Sequence, residues 1–145
     1  MNIRVIAATI AGAAVFFFLG WLVYGMLLAD FMKQHMVQYA GLTKEPMPDM
    51  VPLVLSNLVI AALLAFVFDK WASIRTFKGG AIGGAVMMFF IALHVDLSFL
   101  AFMNLLNLTM AAVDVAAAAA LGAITGGVIA LVLGLMSGQA ASATE

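Results

Sequence analysis

Four long apolar stretches, roughly Val5–Leu28, Val51–Phe68, Gly79–Met103 and Thr109–Met136, constrain this chain more than any other feature. Each holds about 18 residues or more, and a helix rising about 1.5 Å per residue then crosses a hydrocarbon core of roughly 30 Å. No stretch between them is long enough to build a soluble domain. The chain is 66% hydrophobic and 9% charged, against about 25% charged in soluble domains, so the bilayer must solvate most of the surface. The expected fold class is all-α, a four-helix transmembrane bundle. It forms a single domain over residues 1–136, with a small, polar, disordered tail over 137–145.

The formal net charge of -1 gives no global field that would attract nucleic acid, and the absence of cysteine excludes disulfides and thiol chemistry. Arg4 precedes an apolar run of about 24 residues, longer than the roughly 7–15 of a signal-peptide core, so a retained first helix is expected. Basic residues fall unevenly. Arg4, Lys70, Arg75 and Lys78 lie on one side, and Lys33 and Lys44 on the other. The positive-inside rule then places both termini and the second loop in the cytoplasm. Trp21, Tyr24 and Trp71 suit the two interfaces.

The segment Phe31–Met50 is the only sizeable extramembrane piece. Met32, Met36 and Tyr39 fall at helical spacing, so its first part continues helix 1 or lies in the interface. Gly41, Pro46, Pro48 and Pro52 end it and restart the chain. The short link between Lys70 and Gly79 predicts that the second and third helices are antiparallel neighbours, and Asn104–Leu108 plays the same part for the third and fourth.

Small residues mark the surfaces where helices should touch. Gly79, Gly80, Gly83 and Gly84 give two overlapping GxxxG pairs, and Gly122 and Gly126 follow the run Ala116–Ala120. Helix association in lipid depends on close packing, which such residues allow. The pattern fits packing within the bundle, or a seam to a second copy or another subunit.

Asp96 and Asp114 are the most telling polar residues, because a carboxylate at depth costs roughly 2.5–3.5 kcal/mol on insertion scales. Asp96 lies about 25 Å along its helix, and Asp114 about 8 Å below the opposite start of the next. Both therefore fall in the outer third, the layer also reached by Asn57 and Tyr24. Helical phase turns Asn57, Asp96 and Asp114 inward together. They form either a buried hydrogen-bonded cluster with one acid protonated, or a shallow vestibule binding a cation or proton. His94 and Asp96 point about 200° apart on one helix and cannot share a metal. A His94–Ser98 hydrogen bond within a packed face is expected instead. Methionine is frequent, at 11 residues, and Met32, Met36, Met47 and Met50 flank His35. These suit Cu(I) as soft ligands, or simply fill an apolar face. Nucleotide-binding, zinc-protease and serine-hydrolase signatures are absent, so no catalytic residue, metal or cofactor is assigned.

The run Gly20-Trp21-Leu22-Val23-Tyr24-Gly25 at the exit of helix 1 resembles a family of small bacterial four-helix membrane proteins of unknown function. The resemblance implies a bacterial inner-membrane location. The function expected from the whole chain is non-enzymatic: a structural or accessory role in the lipid bilayer, within a homo-oligomer or larger membrane complex. The alternative is a small ion, proton or solute transporter or channel using the Asp96/Asp114 layer.

Overall fold

The computed structural model describes residues 2–44 and 47–142. It is helical throughout: α1 (Ile3–Gly20), a π-helical continuation (Trp21–Leu27), α2 (Ala29–His35), α3 (Met50–Lys70), α4 (Phe77–Phe102) and α5 (Leu108–Ser142). α1 with its π-helical segment, α3, α4 and α5 are each long and apolar enough to span a membrane.

Helix starts are set by side chains that satisfy the otherwise orphaned first-turn N–H groups. The Asp49 carboxylate accepts from Val51 N at 3.3 Å, Thr76 Oγ1 from Gly79 N at 3.2 Å, and Asn107 Oδ1 from Met110 N at 2.9 Å. Pro52 lies within the first turn of α3, where its missing N–H would have no intrahelical partner. The turn between α3 and α4 places Ser73 at φ 51°, a left-handed conformation that costs a residue with a Cβ roughly 1–2 kcal/mol. Ser73→Gly is therefore expected to stabilise the protein by about 0.5–1 kcal/mol, measurable as a raised denaturation midpoint in detergent.

α5 is the central helix. Half of its most apolar window is buried, against 33% for α1, 22% for α3 and 11% for α4. α4 packs almost wholly on α5, whereas α1 packs on both α3 and α5. The second and third spans were expected to be neighbours, but α3 and α4 do not pack along their lengths. Their contact is confined to the end near the turn, where Phe68 and Ile74 approach Gly83. The reason is the glycine face of α4, which fits α5 more closely than α3 can. The main core joins Val5, Ala8, Ala13 and Phe16 of α1, Leu64 and Phe68 of α3, and Ile129 and Leu133 of α5. It fills the half of the bundle nearest the termini.

The first span ends at Leu28, where the chain breaks before the short α2 begins; of the two readings of the segment after it, an unbroken continuation of helix 1 does not hold. Beyond α2, Val37 N donates to Leu105 O at 2.8 Å and Asn107 N to His35 O at 3.3 Å. The first loop is thereby pinned to the α4–α5 link. The tail expected to be disordered from residue 137 is helical through Ser142, in keeping with the high helix propensity of Ala140 and Ala141. Residues 143–145 lie outside the described residues.

Candidate functional site: two polar clusters at opposite ends of the bundle

The α4–α5 seam sets the geometry of the first cluster. A Cβ at Gly80 would collide with the Gly126 carbonyl, and one at Gly84 with the Gly122 carbonyl. The reverse holds too, with a Cβ at Gly122 meeting the Gly84 carbonyl at 2.5 Å. The two backbones thus touch over successive turns, as small residues permit in lipid. Only one of the two GxxxG pairs makes this seam. Gly79 and Gly83 lie about 100° away around the helix and face Ile74, with the Phe68 ring also against Gly83.

Continued toward the link, this register brings the two acids level. Asp96 lies six residues before the end of α4 and Asp114 six residues after the start of α5. Ala92 of α4 packs against Val115 and Ala118 of α5, so each acid lies about one turn beyond the same contact. Asp96 is 5% exposed, and its Oδ2 has no hydrogen-bond partner. Tyr24 and Asp114 are half-buried. Among the described residues, no Lys or Arg pairs with either acid. The widened π-helical turn carries Tyr24, and such insertions in α-helices often accompany functional sites.

Asn57 does not complete this cluster as expected. Its Nδ2 donates to Leu53 O, one turn back in its own helix, at 2.7 Å. That local bond satisfies the amide without a neighbour, and α3 does not pack along the length of α4. His94 is exposed rather than packed. The bond near it runs from Ser98 Oγ to the His94 backbone carbonyl at 2.8 Å. In the first loop, the His35 ring stacks on Phe31 at 4.0 Å, and its Nδ1 lies 2.9 Å from the Phe31 carbonyl oxygen. One ring nitrogen is thus engaged locally. No group of three or more His, Asp or Glu suited to a metal occurs among the described residues.

The second cluster is not foreseen by the sequence reading. Asp69, at the end of α3, has a fully buried side chain. Its Oδ1 lies 3.1 Å from Arg4 Nε and 2.8 Å from Arg75 Nη2, and its Oδ2 lies 3.2 Å from Lys70 Nζ. Arg75 also donates to the backbone carbonyls of Phe68 and Ile74 at 3.0 and 3.1 Å. Arg4 reaches Ser137 Oγ on α5 at 3.4 Å. Gly134 leaves room on α5 for the Arg75 carbonyl. One carboxylate thus gathers α1, α3 and the α3–α4 turn, and Arg4 extends the cluster to α5. The basic residues read as topology signals are also structural ties. The available signal was the apolar context of Asp69, which a carboxylate enters only with partners.

Comparison of the chain with protein-family models, curated proteins and solved structures gives no match.

Proposed function

We infer that this is a small, non-enzymatic protein of the bacterial inner membrane with a structural or accessory role, packed in a homo-oligomer or a larger membrane complex. The supporting observation is the lopsided placement of α4. This helix packs along its length on α5 and meets α3 near the turn, at Phe68, while its other flank carries exposed Ile82, Val86, Phe89 and Phe90. A helix with one lengthwise neighbour has much of its surface free to pack against another subunit, and in lipid such packing depends on shape rather than on water exclusion. The chain lacks cysteine, so Val86→Cys and Phe90→Cys give clean single-site cross-linking probes. Covalent dimers, or adducts with one partner of defined mass, are expected in native membranes. A particle with the mass of one chain, with no cross-link at either position, would overturn the reading.

The buried, unpaired Asp96 supports transport as a second reading. Ion or proton flux in liposomes that disappears on replacing Asp96 and Asp114 with Asn would establish it, and flux that survives would end it. The four-to-two distribution of basic residues supports cytoplasmic termini. Reporters fused after Ser137 and within the Arg75–Lys78 segment should both read cytoplasmic. A cytoplasmic first loop would reverse the orientation.

A further inference from the structure

We propose that the end of the bundle where α1 and α4 begin and α3 ends binds the phosphate of an anionic phospholipid. Charge is balanced at one end of the protein and not at the other. In the first loop, Lys33 lies 3.9 Å from Asp30 and Lys44 lies 3.1 Å from Asp49, so each base has its own acid. At the opposite end, Arg4, Lys70 and Arg75 converge on Asp69 alone, at 3.1, 3.2 and 2.8 Å. One carboxylate cancels only one of these three positive charges. Lys78 adds another, exposed on the first turn of α4, and no acid pairs with it among the described residues. The positive end of the α4 dipole disfavours a cation there and favours an anion. Like charges gathered this closely repel one another, and a further anion relieves the repulsion. Asp69 is fully buried, whereas the side chains of Lys70, Arg4 and Arg75 keep 48%, 30% and 26% of their exposure, so each cation remains partly open to a ligand.

Position selects the source of that anion. Arg4 is the second residue of α1, Lys70 the last of α3 and Lys78 the second of α4, so the cluster lies at headgroup level when the spans cross a bilayer. The indole of Trp71, 75% exposed, sits edge-on to Phe66 at 5.3 Å. An indole suits the interface, and the pair offers an apolar flank for the glycerol and the upper acyl chain. That flank favours a phosphate carrying acyl chains over a soluble one. Basic pockets between spans recognise anionic headgroups by the same chemistry.

The test uses the full-length protein in detergent, with lipid binding followed by native mass spectrometry and by thermal unfolding. Phosphatidylglycerol should bind and raise Tm saturably. Phosphatidylcholine with the same acyl chains should bind more weakly by about tenfold or more, since it carries no net charge to answer the excess. Each basic residue near a membrane surface contributes about fivefold to anionic-lipid affinity. Replacing both Lys70 and Lys78 with Gln should therefore weaken phosphatidylglycerol binding by about 25-fold, while the lipid-free protein stays folded. If that double variant does not fold, Lys78→Gln alone should lose about fivefold. Replacing Lys33 and Lys44 with Gln, at the balanced end, should leave the affinity unchanged. The proposal is overturned if the two lipids bind alike, or if the Lys70 and Lys78 replacements leave the preference intact. It is also overturned if the Lys33 and Lys44 replacements cost as much, which would reduce the binding to general attraction between lipid and lysine. Inorganic phosphate that raises Tm as far as phosphatidylglycerol does would overturn it in favour of a soluble anion.

Discussion

Gly122→Leu should separate α4 from α5. The added side chain would enter space held by the Gly84 backbone and by Met88. Overpacking a well-filled core costs about 1–3 kcal/mol, and here one of the obstructing atoms is a carbonyl fixed in a helix. A loss at the top of that range or above is expected, seen as a fall of Tm in detergent and new protease cleavage in the α4–α5 link. Gly84→Leu should match it, because the Gly122 carbonyl obstructs from the other side. Gly83→Leu should be milder, since the neighbours there are the ends of the Phe68 and Ile74 side chains, which can shift. Equal stability of Gly122→Leu and wild type would refute the seam.

Removing the carboxylate of Asp69 should have an effect of similar size. Breaking a buried ion pair by deleting one partner costs about 3–5 kcal/mol. Arg4 and Arg75 retain part of their solvent exposure, which reduces this to roughly 2–3 kcal/mol for Asp69→Ala. Lys70→Ala should cost about 1 kcal/mol or less, because its side chain is 48% exposed. Urea or thermal titrations of the two variants check the order. If Lys70→Ala proves the more damaging, the account of this cluster fails.

How legible these features were in the sequence depends on the range of the interaction behind each. The four spans follow from apolar runs long enough for the bilayer, and their starts at Asp49, Thr76 and Asn107 obey local capping chemistry. The level of Asp96 and Asp114 was readable because both are counted from the same short link. Which GxxxG pair meets α5 was not, since Gly79/Gly83 and Gly80/Gly84 differ by a single helical step. Asn57 misled because an amide in a helix can satisfy itself on the preceding turn, a choice invisible to helical phase. The Asp69 cluster joins Arg4 to the far end of the next span, and charge counting sorts such residues by side without pairing them. The π-helical turn at Trp21–Leu27 has no proline to announce it, only the flanking Gly20 and the enclosed Gly25.

The central position of α5 also dictates an order of assembly. Of the four spans, α5 is the last to leave the ribosome, yet it supplies nearly all the packing of α4. Until it enters the bilayer, the glycine face of α4 remains open to lipid or to a chaperone, while α1 and α3 can already pair. Biogenesis thus passes through an interval in which α4 lacks its main neighbour. A ribosome stalled before Asn107 would leave an intermediate with the α1–α3 pair formed and α4 adrift, ready to be captured or degraded.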